Sequence, residues 1–249
     1  MNLSVSEKPL APLPVPPVAV PNAARWIAEA ERLNRRYQIE IVEAIGLCPW
    51  AERARVDGSY RAHVLLQSES HVEPTLQAID EINAETEIEV AVLVYPRLAL
   101  SRTEFERFVA RIRQADVPRH TLGCVPFVFA AFHPDAVVDA SGPDRLVPFI
   151  RRTPDPTIQI LRSSTLERVR SGTPQGTQFL DPKSFELDPP KQTVPLRERI
   201  SRANFATIDR LGVAELVRRL DAIASDRKRT YLELEGLVDA SATPEPQSP

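Results

Sequence analysis

Phe127-Val128-Phe129-Ala130-Ala131-Phe132-His133-Pro134-Asp135 is the stretch on which the reading of this chain turns. An unbroken apolar run of this length predicts a buried strand, and its end delivers His133, Pro134 and Asp135 to a rim. Two further strands precede it. Over 60–67, Tyr60, Ala62, Val64 and Leu66 alternate with Arg61, His63 and Gln67, which suits a half-buried strand. Over 90–95 the chain is apolar throughout and is stopped by Pro96, which predicts a central strand. Between the first two strands, Ser70 and Glu73 form a capping box for a helix carrying Val72, Leu76, Ile79 and Ile82. Ser101 and Glu104 repeat the box ahead of Phe105, Phe108, Val109 and Ile112.

Strand, helix, strand, helix, strand at this spacing predicts β-α-β units. The expected fold class is α+β: a central mixed sheet with a partly parallel β-α-β-α-β portion, flanking helices and disordered tails. Sites in such sheets gather outside the carboxyl ends of the strands, where Tyr95-Pro96 and His133-Pro134-Asp135 fall.

Farther out, Asn22 is expected to cap a long helix bearing Trp26, Ala30, Leu33, Tyr37, Ile41 and Ala44, ended by Gly46. Thr157–Arg162 reads as a fourth strand, with Ser164 and Glu167 capping a helix after it. The turn Ser141-Gly142-Pro143-Asp144 precedes it. Residues 173–195 are rich in Pro, Gly and Asp and predict a long loop. Helical spacing returns through Ile200, Ala203, Thr207, Ile208 and Leu211, breaks at Gly212, and resumes with Leu216, Val217, Leu220 and Ile223. Residues 23–238 are expected to form a single α+β domain. Residues 1–22, broken by Pro9, Pro12, Pro14, Pro16, Pro17 and Pro21, read as a disordered arm with polyproline II character, and 239–249 as a disordered tail.

Composition narrows the partners. The 249 residues are 43% hydrophobic and 26% charged, as in an ordinary globular protein. A net charge of −3 supplies no basic field for nucleic acid. No apolar run approaches the ~20 residues that cross a bilayer, so no membrane partner is expected. Two cysteines, Cys48 and Cys124, are too few for a disulfide framework and fit the reducing cytoplasm.

The candidate catalytic residues are Cys48, His133 and Asp135. If a helix opens over 50–55, Cys48 sits at its N-terminus, where the dipole and open amides favour a thiolate. The alternative is a small buried apolar residue in a tight turn, the role also expected of Cys124. His133 and Asp135 suit a general base with an orienting carboxylate, or a histidine that holds a loop by hydrogen bonds. Arg151, Arg152 and Arg162, with Ser163 and Ser164 at a helix start, suit an anion site or else a solvated basic face balanced by Asp144, Asp155 and Glu167. Cys48, His63, His133 and Asp135 have no zinc-site spacing, so no metal is assigned. GxGxxG, Walker, HExxH and GxSxG patterns are absent, and any cofactor stays unassigned.

The same residues carry a resemblance. Gly46-Leu47-Cys48-Pro49-Trp50-Ala51 resembles the "LCPFA" element of an uncharacterised bacterial family, a conserved domain of unknown function. Ala131-Phe132-His133-Pro134-Asp135 is similar to its "SFHPD" element. Pro154, Pro156 and Ile160-Leu161-Arg162 fall where it has "NRSPYP" and "HLLRE". Arg202-Ala203-Asn204, Thr207-Ile208 and Leu211-Gly212 resemble its "RN…TL…LG" segment. This chain departs from the pattern with Arg151 for Asn, Asp155 for Tyr, Gln159 for His and Ser163 for Glu. The resemblance implies no activity. The expected function is a small-molecule enzyme acting on an anionic metabolite through a Cys/His/Asp/Arg cleft. A non-catalytic ligand-binding or interaction protein using the same cleft and the proline arm is the alternative.

Overall fold

The computed structural model describes residues 20–48, 51–121, 124–171 and 196–236. Residues 1–19 of the arm expected over 1–22, the loop over 173–195 and the tail over 239–249 lie outside them. Four strands, β1 (Tyr60–Val64), β2 (Val90–Val94), β3 (Phe127–Phe132) and β4 (Thr157–Arg162), form one sheet in the order β1-β2-β4-β3. β1 and β2 are parallel, joined by helix α3 (Glu73–Ala84). β4 runs antiparallel to both of its neighbours, so β1, β2 and β3 share one direction with β4 reversed between β2 and β3. The architecture is α+β with a mixed, partly parallel sheet.

The central strand is central as expected: Val94 lies opposite Val64 on one side and Thr157 on the other. β1 stops at Val64, short of the expected Gln67, because its ladder with β2 ends there. The buried strand expected at Phe127–Phe132 is instead a sheet edge, with Val128 exposed. Insertion of β4 beside β2 leaves β3 with a single strand neighbour. Arg113, from helix α4 (Arg102–Asp116), donates to the Phe129 carbonyl at 2.5 Å and blunts that edge.

Side-chain alternation sorts the two faces. Ala91, Leu93, Phe127, Phe129, Ile158 and Ile160 pack under α3 and α4 with Phe105, Phe108 and Ile112. On the other face, Val92 and Val94 meet Ala30 of α1 (Ala23–Tyr37). A second apolar cluster joins α1 to α5 (Pro143–Ile150), α7 (Leu196–Leu211) and α8 (Val213–Leu234) through Leu33, Leu146, Phe149, Ile208, Leu216 and Leu220. Asp226 of α8 ties to α1 through Arg32 and Arg36 at 2.8 and 2.5 Å.

The caps divide. Both halves of the Ser101–Glu104 box form. The Ser70–Glu73 box does not: α3 opens at Glu73 with Pro74 in its first turn, and Ser70 accepts from Arg111 instead. Asn22 stands at the start of α1 in the left-handed conformation without a side-chain cap bond. The long first helix changes to a π-helical segment over Gln38–Glu43 before Gly46, which has a φ of 72°. The turn expected at 141–144 opens helix α5, with Pro143 in its first turn. Two further short helices, α2 (Ala51–Val56) and α6 (Ser163–Ser171), complete the set.

Arg162 closes the amino edge of the sheet rather than the carboxyl edge. Its guanidinium donates to the Ile88 and Glu85 carbonyls at 2.8 and 3.1 Å and to Asn83 Oδ1 at 3.2 Å, and lies 4.9 Å from the Phe127 ring centroid. Removing it leaves partly buried acceptors unsatisfied. Arg162→Ala is therefore expected to cost ~1–3 kcal/mol of stability in urea unfolding, with the unfolding slope unchanged.

Candidate functional site

The carboxyl ends of β2 and β3 and the start of β4 meet at one edge, since Val94 and Phe132 both lie opposite Thr157. Tyr95 N–H donates to the Pro156 carbonyl at 3.0 Å, and His133 N–H to the Arg151 carbonyl at 3.2 Å. Between these ties lies Asp155, fully buried. Its backbone carbonyl accepts from the Thr153 and Thr157 hydroxyls at 2.7 and 2.8 Å. Its carboxylate accepts from Arg227 Nε at 2.6 Å and from the Tyr231 hydroxyl at 2.8 Å. Burial pushes the Asp155 carboxyl up from its usual value, against the pull of Arg227 and Tyr231. Burial and the facing carboxylate push the Tyr231 phenol up as well, so it remains a donor. Arg227 also reaches the Pro96 carbonyl at 3.4 Å, linking α8 to the end of β2.

His133 is buried, with 4% exposure, rather than standing at a rim. Its Nε2 donates to the Leu100 carbonyl at 3.0 Å, and its Nδ1 accepts from the Asp135 amide at 3.1 Å. A carbonyl only accepts and an amide only donates, so the ring is the neutral Nε2–H tautomer with both nitrogens in use. Burial pushes its pKa below the usual imidazole value, opposed by the Leu100 carbonyl and the Asp135 carboxylate. The ring lies 5.7 Å from that of Phe105. This is the loop-holding geometry. The Asp135 carboxylate, 3.8 Å from Nδ1 and 74% exposed, does not orient the ring.

Two small cavities flank the His133-Pro134-Asp135 turn. The first, about 90 Å³, is lined by His133 and Arg151 with Arg102, Glu106 and Phe105. The second, about 160 Å³, is lined by Asp135, Arg152, Thr153 and Tyr37 with Leu220 and Arg227 of α8. Arg151 lies 5.2 Å from the Phe132 ring centroid. Arg152 donates through Nε to the Pro134 carbonyl at 2.9 Å and has a looser 3.4 Å contact with Asp221.

The expected site residues thus separate. His133 with Arg151, and Asp135 with Arg152, share cavities at the expected edge. Cys48 lines neither cavity; it is part-buried, and its carbonyl accepts from Ala51 N–H at the start of α2. Cys124 is exposed, not in the core. Arg162 does not line the cavity that holds His133, because reversal of β4 carries its carboxyl end to the opposite edge. Ser163 donates to the Val125 carbonyl there. Among the described residues, no group of three or more His, Cys, Asp or Glu is placed to hold a metal ion. No helix of the described residues is long and apolar enough to cross a membrane.

The family of proteins of unknown function DUF1415 matches residues 30–181, more than half of the chain. The chain belongs to this family. No curated protein and no solved structure matches it. The DUF1415 region supplies the whole sheet, His133, Asp135, Arg152 and Asp155, while α8, which closes the larger cavity, lies beyond it.

The places of Asp155, Arg227, Tyr231 and Tyr37 at this edge escaped the sequence reading, which took Tyr37 for a helix-face residue and Asp155 for a counter-charge. One signal was present: Asp155 stands between Pro154 and Pro156, a rigid setting for a carboxylate.

The His133 geometry sets a pH dependence. With its folded pKa lowered, the unfolded chain binds the proton first, so this contribution is complete above pH ~6.5 and is lost as pH falls toward the folded value. Urea unfolding between pH 7.5 and 5 should show wild type losing stability more steeply than His133→Asn, the difference reaching at most about 1.4 kcal/mol per pH unit. At pH 7.5, His133→Ala is expected to cost ~2 kcal/mol through its two hydrogen bonds.

Proposed function

We propose that this protein binds a small anionic metabolite in the cavity between Arg152 and Arg227, in the reducing cytoplasm of a bacterium. One observation carries the reading: two arginines line the same concavity at the carboxyl edge, and among the described residues Arg152 is held by one hydrogen bond to a backbone carbonyl and a loose 3.4 Å ion pair with Asp221. Arginine forks suit carboxylate and phosphate groups, and carboxyl edges are where sheets of this kind place ligands. The volume of about 160 Å³ lies below the ~300–1,000 Å³ of sites for larger ligands, which favours a ligand of few atoms.

Binding is the better-supported half of the expected function. A catalytic reading needs a proton acceptor or a nucleophile facing the ligand. His133 has both nitrogens engaged, and Cys48 lines neither cavity. That leaves Asp135 as the one expected catalytic group on the larger cavity, a carboxylate without the proton-shuttling histidine that reading pairs with it.

Isothermal titration of the full chain with short-chain carboxylates and inorganic phosphate tests the proposal. At least one of these anions is expected to bind. Arg152→Gln should weaken that anion tenfold or more, the size of a lost charge-assisted hydrogen bond, whereas Arg162→Ala should leave its affinity unchanged. No binding by any of them, or equal binding by Arg152→Gln, contradicts it.

A further inference from the structure

We infer that the cavity is built for a free α-amino acid with a short aliphatic side chain; this rests on the anion-site reading above and adds an amine to it. Charges of both signs line the cavity: Arg152 and Arg227 on one hand, Asp135 on the other. Asp135 forms no ion pair with either arginine, although the three share this wall. Its carboxylate is 74% exposed, and its charged-group contact is His133 Nδ1 at 3.8 Å. That nitrogen accepts the Asp135 amide proton and therefore carries none of its own. The carboxylate is left with neither a hydrogen-bond donor nor a cation among the described residues.

Arg152 is held in the complementary way. Its Nε is fixed on the Pro134 carbonyl, so the guanidinium is anchored to the same turn that carries Asp135. Asp221, 3.4 Å from Nη1, is 55% exposed and adds a second carboxylate near this wall. Arg227 is fixed from behind through Nε by Asp155. Leu220, Ile223 and Ala224 supply an apolar wall from α8.

A ligand that satisfies all three surfaces carries a carboxylate for the arginines, an ammonium for Asp135 and a few methyl groups for α8. Inorganic phosphate and dicarboxylates would set a second negative charge against Asp135 and Asp221. At about 160 Å³ the cavity is too small for a nucleotide. Discrimination follows from unpaired polar groups: an acid lacking the amine leaves Asp135 without its partner.

The test compares matched pairs on the full chain by isothermal titration: alanine with propionate, and valine with 3-methylbutanoate. At least one amino acid is expected to bind, ten times or more tighter than its deaminated partner. Asp135→Asn should remove that preference while leaving the affinity for the acid within a factor of two. The exposed Asp135 side chain makes loss of folding in this variant unexpected. Equal binding of acid and amino acid, or an amino-acid affinity indifferent to Asp135→Asn, overturns the inference and leaves the anion site standing. Binding of neither class overturns the inference, and the anion site falls with it only if inorganic phosphate also fails to bind.

Discussion

Asp155 is withdrawn completely from water between two prolines, and its charge is met by a guanidinium and a phenol from a helix more than seventy residues away in sequence. Taking a carboxylate out of solvent is costly, so its partners must be in place whenever the chain is folded. Pro154 and Pro156 limit the backbone on either side, and two threonine hydroxyls hold the intervening carbonyl. Arg227 reaches on to the Pro96 carbonyl, so one side chain spans the entry to β4 and the exit from β2. The Tyr231 ring also lies 4.6 Å from that of Trp26 in α1. This contact fixes α8 over the carboxyl edge, and the larger cavity is the space left between them.

The His133 turn divides that edge. Its ring ties the end of β3 to the loop before α4, and its successor Pro134 anchors Arg152. A histidine arranged this way contributes rigidity rather than proton transfer. The His133-Pro134-Asp135 turn therefore has a physical reading: the imidazole fixes the turn, while Asp135 and the anchored Arg152 line the cavity. The Asp155–Arg227 pair makes the support behind this wall ionic.

All four strands and most helices were legible because alternation, apolar runs and capping are local. β3 and β4 were placed to the residue, and the Ser101–Glu104 box forms as read. Strand order was not legible. Nothing near Thr157–Arg162 announces that it enters antiparallel between two parallel strands, and that single fact sends Arg162 to the wrong edge and β3 to the margin. Helix α5 was hidden because Ser141-Gly142-Pro143-Asp144 read as a turn alone, although Pro143 and Asp144 are good first-turn residues and Pro148 is accommodated inside the helix. Asp155 read as a surface counter-charge because its partner, Arg227, is distant in sequence. A buried ion pair and a solvated one look alike until the chain is folded.

The most direct measurement is a double-mutant cycle at Asp155 and Arg227, read by urea unfolding of the full chain. Because each single change strands a buried partner, Asp155→Asn and Arg227→Gln are each expected to cost ~3–5 kcal/mol, with the double variant recovering about 2 kcal/mol or more of their sum. A coupling below about 0.5 kcal/mol would mean that the two groups act independently. The carboxyl edge and its cavity would then not depend on this contact.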